Sequence, residues 1–141
     1  RFLNMIREAA YRELEAIYAD LEREHETLHL RCGRTGRCCR FGEYGHQLWA
    51  TRLEVDYLLD RAEPARVGGE GVCPYLREGG CGVHDRRMLG CRVFFCDASH
   101  ASMMTRLYEK YHRRIREAHR RHGVPYAYVE YLGEMRLREK R

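Results

Sequence analysis

The sequence predicts a mainly α-helical fold: a small single domain of three to four helices, with Cys/Gly-rich irregular loops organised around a metal centre. Three observations predict it. Stretches without Gly or Pro carry apolar residues at helical spacing. The seven cysteines fall in glycine-rich segments between those stretches. And 141 residues make one domain with a modest core the default.

Residues 1–30 form an N-terminal amphipathic helix. Ala10, Leu14, Ile17, Leu21 and Leu28 recur on one face, and Leu3 extends the stripe. Such a stripe packs on the rest of the domain. Because it nearly follows a heptad, it also suits pairing with a protein partner or a second copy of the chain. Residues 31–98 form a Cys-rich metal-binding core with one helix at about 51–62. That helix starts at the capping box Thr51-Arg-Leu-Glu54, turns Leu53, Leu58 and Leu59 inward, and ends before Pro64. The stretch from 64 to 98 reads as irregular, with seven glycines and four cysteines. A loop this long needs something besides apolar burial to hold it, and bound metal supplies folding free energy directly.

Residues 99–141 form a C-terminal basic helical segment. A helix from Ser99 to His122 carries Met104, Tyr108, Tyr111, Ile115 and Ala118 on its apolar face, and Gly123 and Pro125 stop it. Between Pro125 and Glu139 the alternation Tyr126, Tyr128, Glu130 is strand-like while the arginine-rich end is helical; a short last helix is expected.

Hydrophobic residues are 44% and charged residues 33% of the chain, a balance that excludes disorder, and no apolar run is long enough to span a membrane. An odd number of cysteines, two of them adjacent, argues against a disulfide framework. It favours ligand thiols in a reducing, cytoplasmic setting. The net charge of +5 is uneven: residues 101–141 hold 11 Lys and Arg against 5 Asp and Glu. Arg106, Lys110, Arg113, Arg116 and Arg120, with Arg114 and Arg121, form a basic stripe able to grip phosphates. The pairs Glu109–Arg113 and Glu117–Arg121 at helical spacing make part of it an ordinary solvated face. The tyrosines at 108, 111, 126, 128 and 131 are expected in the core.

The candidate ligands are Cys32, Cys38, Cys39, Cys73, Cys81, Cys91 and Cys96. Thiolates suit zinc, iron–sulfur clusters and copper(I), each needing three or four at one point. Arg34, Arg37, Arg40, Arg86, Arg87 and Arg92 lie near enough in sequence to stabilise thiolate charge. Cys96, closing the run Val93-Phe-Phe, also suits a buried core thiol. His84, three residues after Cys81, is a further candidate ligand, and His100, four after Cys96, is another. The remaining histidines are expected in solvent. No C-x-x-C is present, and neither ferredoxin spacing occurs. No P-loop, dinucleotide fingerprint, carboxylate pair or nucleophile–base pair stands out, so no enzymatic reading is favoured.

The cysteine blocks resemble the zinc- or iron-chelating CxxCxxCC family, also called YkgJ-like. Cys32, Gly36, Cys38 and Cys39 match its first block, and Cys73, Pro74 and Leu76 its second. Cys81, Val83, Arg87, Cys91, Arg92 and Phe94 match its third. The resemblance covers about residues 30–96. Thr35 stands where that family has an eighth cysteine, His84 where an aromatic is common, and Met88 at a proline position. The resemblance implies a chelated metal, and Thr35 implies an open coordination position or a substitute ligand. The expected function is therefore metal binding, with an iron–sulfur cluster slightly ahead of Zn2+ as cofactor and a redox or sensing role. The alternative is a structural-zinc interaction module whose basic helix binds nucleic acid or a protein.

Overall fold

The computed structural model describes residues 1–30, 37–78, 80–93 and 101–139. In chain order the elements are α1 (Phe2–Thr27), α2 (Phe41–Tyr44), β1 (Trp49–Thr51), α3 (Arg52–Arg61), β2 (Leu76–Arg77), β3 (Gly80–Cys81), α4 (Leu89–Val93), α5 (Ala101–His122), β4 (Tyr128–Glu130) and α6 (Tyr131–Glu139). Single 3-10 turns lie at Arg37–Cys39 and His84–Arg86.

The apolar face of α1 buries Ala10, Tyr11, Leu14, Ile17, Tyr18 and Leu21 at intervals of one, three and four residues, as one side of a helix must. Its polar flanks tie it to two neighbours. Glu8 pairs with Arg61 at 2.7 Å, and Tyr11 donates to Asp60 at 2.5 Å. Farther along, Glu15 accepts from Tyr57 at 2.8 Å and Tyr18 donates to Glu54 at 3.0 Å. Ascending α1 meets descending α3, so the two run antiparallel. The same order holds on the other side. Glu13 meets Arg121 and His122, Asp20 meets Arg114 at 2.8 Å, and Glu24 meets Lys110 at 2.8 Å and Tyr111 at 2.7 Å. These ties make α5 antiparallel to α1 as well.

Two apolar cores result. One holds the inner faces of α1 and α5 with Leu53, Tyr57, Leu89 and Val93. The other holds Cys39, Phe41, Leu48, Val55, Leu58, Cys73, Tyr75, Val83, Met88, Tyr131, Leu132 and Met135. Helix α3 serves both. β1 and β4 pair antiparallel, Trp49 opposite Glu130 and Thr51 opposite Tyr128, and α6 follows β4 directly. Arg138 on α6 reaches Asp56 on α3 at 2.5 Å, and Glu139 accepts from the Val67 N–H at 2.6 Å. Those bonds pin the loop after α3.

The start of α3 is over-determined. Thr51 and Glu54 form the capping box that the sequence predicts. Glu54, only 1% exposed, also accepts from the Leu89 N–H at 2.6 Å at the start of α4. The Leu53 N–H, one of the four orphan donors of a helix start, donates to His119 Nε2 at 3.1 Å. His119 Nδ1 must then carry the ring proton and donate it to the Ile115 carbonyl at 2.9 Å.

Several expectations need correction. α1 stops at Thr27, because His29 takes a left-handed φ of 58°. Leu3 and Leu28 therefore stay exposed, while the chain folds back to bury Leu30. The described part of 64–98 is not wholly irregular: it holds the β2–β3 hairpin, a 3-10 turn and α4. The described residues hold four longer helices and two short ones, not three to four in all. Residues 125–139 are both strand and helix. Leu107 joins the buried face of α5, whereas Tyr126 and Tyr128 are exposed because they sit on a two-stranded ribbon with one open side. His25 and His119 are buried rather than solvated. No helix among the described residues is long and apolar enough to cross a membrane.

Truncating Glu54 to Ala strands four donors from three segments. The expected loss is about 3–5 kcal/mol, read as a lower urea midpoint; a loss below about 1 kcal/mol would mean that solvent replaces the carboxylate. His119 makes a second prediction. Burial lowers its pKa, so the fold requires the neutral ring, whereas an unfolded histidine titrates near about 6.5. The unfolded state then binds more protons as pH falls. The stability contributed by His119 is complete above about pH 6.5 and is lost progressively below it. Thermal melts from pH 7.5 to 5 should show a steeper decline in the parent than in His119→Gln; equal slopes would remove His119 from the account.

Candidate metal centre

Five cysteines from four stretches of chain face one cavity. Cys38 and Cys39 stand on the 3-10 turn Arg37–Cys39, Cys73 precedes the β2–β3 hairpin, Cys81 ends β3, and Cys91 lies in α4. With Phe41, Leu58, Val83, Arg87, Met88 and Tyr131 they line a cavity of about 20 Å³. That is room for one water or one bare ion. All five are free thiols.

Backbone contacts bring the stretches together. The Cys73 N–H donates to the Cys39 carbonyl at 2.7 Å, and the Gly42 N–H to the Gly71 carbonyl at 2.9 Å. Neither glycine tolerates a side chain. A Cβ on Gly42 would lie 2.8 Å from the Glu70 carbonyl oxygen, and Gly71 holds a φ of +66°. Across the cavity, Gly82 N–H to the Tyr75 carbonyl at 2.8 Å closes the hairpin that carries Cys81.

The segment bearing Cys91 is clamped by two buried arginines. Arg87 donates to the His84 carbonyl at 2.8 Å and the Cys91 carbonyl at 3.2 Å. Arg92 donates to the Arg87 carbonyl at 2.7 Å and the Asp85 carbonyl at 2.9 Å. Arg92 also pairs with Glu22 of α1 at 3.2 Å, with its guanidinium 3.9 Å from the centre of the Tyr18 ring. His25, with a ring nitrogen 3.8 Å away, holds the Glu22 carboxyl at about 2, opposed by burial and aided by Arg92 and Arg87.

The thiols perturb one another. The neighbouring Cys38, Cys73 and Cys81 thiols, with burial, push Cys39 far up, so it keeps its proton. Cys39 in turn draws Cys38 down to about 7 against the pull of burial, with Arg87 aiding. Cys73 is lowered first by Cys39 and also by the Tyr131 hydroxyl, 3.4 Å from its sulfur. Burial raises Cys91 well above its ordinary range, and the neighbouring sulfurs add to that. Among the described residues no three His, Cys, Asp or Glu side chains are placed to hold a metal ion.

The other expected site residues fare differently. Cys32, Cys96 and His100 lie outside the described residues, as does Thr35. His84 occupies the 3-10 turn after β3 and does not line the cavity. Of the arginines expected beside the thiols, Arg87 lines the cavity; Arg92 turns to α1, Arg40 pairs with Glu43 at 4.0 Å, and Arg86 is exposed. Tyr131 carried no signal as a thiol partner, since it lies 58 positions from Cys73. On α5, Lys110 is tied to Glu24 and Arg120 to Glu117. The expected pairs Glu109–Arg113 and Glu117–Arg121 are not formed, because Arg121 reaches across to Glu13 and Glu117 turns to Arg120. Arg106, Arg113 and Arg116 have no acidic partner among the described residues.

Fold and site together define a small helical domain whose loops close over a thiol-lined cavity. No family model, curated protein or solved structure matches the chain.

Replacing Arg87 with Lys keeps the charge but not the fork that spans two carbonyls. It should cost about 1–3 kcal/mol of stability, read by chemical denaturation. Parent-like stability would show that the charge alone suffices.

Proposed function

We propose that the chain is a metal-binding protein with a cysteine-ligated centre at this cavity. Cys38, Cys39, Cys73, Cys81 and Cys91 are the candidate ligands, and Cys32 and Cys96 are candidates on sequence grounds. The convergence of five free thiols from four chain segments on one cavity carries the reading. Buried thiols that only fill a core have no reason to cluster. The resemblance to the CxxCxxCC family supports the same conclusion.

The donor chemistry suits such a centre. Cys38 and Cys73 are lowered toward the thiolate form that ligation requires, and Arg87 would offset part of the accumulated negative charge. An iron–sulfur cluster is slightly favoured by the surplus of thiols and the lack of zinc-knuckle spacing, and a single Zn2+ held by four ligands is the second form. Zinc would tie the loops together as a structural ion; iron would add a redox or sensing function.

The test is metal content by mass spectrometry, with a visible spectrum, on protein purified without oxygen. The parent should carry a stoichiometric metal: zinc if colourless, iron with sulfide if brown. Cys39→Ser and Cys91→Ala should each retain less than about a tenth of it and lose order in the cysteine loops. Full metal content in both variants would sink the shared site.

A further inference from the structure

A second surface is built from aromatic rings and has no part in the thiol cavity. Trp49, Tyr126 and Tyr128 are 43%, 42% and 39% exposed. Trp49 on β1 and Tyr128 on β4 are diagonal neighbours across the ribbon and stack at 5.8 Å with planes 25° apart. Tyr128 continues to His112 of α5 at 4.9 Å and 31°, and His112 to Tyr126 at 6.2 Å and 36°. Four rings thus form one continuous tier, stacked between Trp49 and Tyr128 and tilted on either side of His112. Hydrogen bonds hold it rigid: His112 Nε2 meets the Tyr126 hydroxyl at 2.8 Å, and the Tyr108 and Tyr128 hydroxyls meet each other. Leaving large rings side by side in water forfeits their burial, so a fixed exposed tier marks an interaction site.

Cations border the tier. Arg113 and Arg116 line, with Glu109, His112 and Glu117, an open groove of about 350 Å³. The Arg116 guanidinium lies 5.1 Å from the centre of the Tyr126 ring. Arg106 shares this exposed face of α5. Glu117 is taken up by Arg120, which leaves Glu109 as the counter-charge to Arg106, Arg113 and Arg116. The groups α1 draws on, Lys110, Arg114 and Arg121, are used internally. What remains on this surface is a set of guanidinium groups with no ion pair among the described residues, beside aromatic rings.

We propose that this face binds single-stranded nucleic acid, with bases stacking on Trp49, Tyr128 and Tyr126 and phosphates meeting Arg113, Arg116 and Arg106. Only a polyanion with exposed ring faces satisfies both halves of the surface. An acidic peptide meets the arginines but leaves the rings in water, and a duplex hides its base faces. The tier presents planes rather than hydrogen-bonding edges, so binding tolerates sequence. The proposal does not depend on metal at the thiol cavity.

Trp49 is the sole tryptophan, so its fluorescence reads stacking directly. Titrating the full chain as purified with a 12-nucleotide oligouridine at low salt should quench it saturably, with weaker quenching by a 12-base-pair duplex. Tyr128→Ala and Tyr126→Ala should each weaken binding about tenfold or more. Arg113→Ala combined with Arg116→Ala should lower the slope of log affinity against log salt by about 1.4, at 0.7 per phosphate contact for single strands. Circular dichroism confirms that each variant folds. Should Tyr128→Ala unfold, Tyr126→Ala and the arginine pair, whose own side chains are exposed, decide the matter. Absence of quenching at low salt overturns the proposal. So does binding of heparin or polyglutamate as tight as the oligonucleotide's with no loss in the tyrosine variants, which would make the face a general anion patch.

Discussion

The buried carboxylate of Glu54 is the constraint from which much of the arrangement follows. A carboxylate out of water is tolerable only when donors surround it. Here the donors come from α1 through the Tyr18 hydroxyl, from the end of β1 through Thr51, and from the start of α4 through the Leu89 N–H. Satisfying one charge thus fixes three segments relative to α3. Two of them lead to the surfaces discussed above. Cys91 stands two residues beyond Leu89, and Trp49 two residues before Thr51. Tyr18 is shared with Arg92, whose guanidinium lies over its ring and pairs with Glu22.

The long N-terminal helix explains where the basic charge of α5 goes. Glu13, Asp20 and Glu24 of α1 neutralise Arg121, Arg114 and Lys110, while Glu8 and Glu15 serve α3. A net count of charges therefore overstates what α5 offers to a partner. The arginines with no acidic partner among the described residues lie on the face turned away from α1. They adjoin the ring tier, which the two-stranded ribbon raises beside them.

The long-period features of this fold were legible in the sequence and the cross-chain ones were not. Helical spacing located α1 and α5, and the Thr51–Glu54 pair located the start of α3 to the residue. Gly123 and Pro125 marked the end of α5. By contrast, β1 and β4 are three residues each, and neither is a strand without the other. The burial of His119 follows from an orphan N–H on a helix 66 positions away. The cysteines announced a cluster by type and by their glycine-rich setting. The Gly42–Gly71 approach that joins the loops, and the Tyr131 hydroxyl against Cys73, depend on contacts that no local pattern encodes.

The double duty of α3 has a thermodynamic consequence. Leu53 and Tyr57 belong to the core shared with α1 and α5, while Val55 and Leu58 belong to the core around the cysteines. Leu58 itself lines the thiol cavity. A ten-residue helix packed on both sides cannot release one core and keep the other. The two halves therefore melt as one cooperative unit. Whatever occupies the thiol cavity is felt as protection of amides in α1, a helix with no residue in its lining.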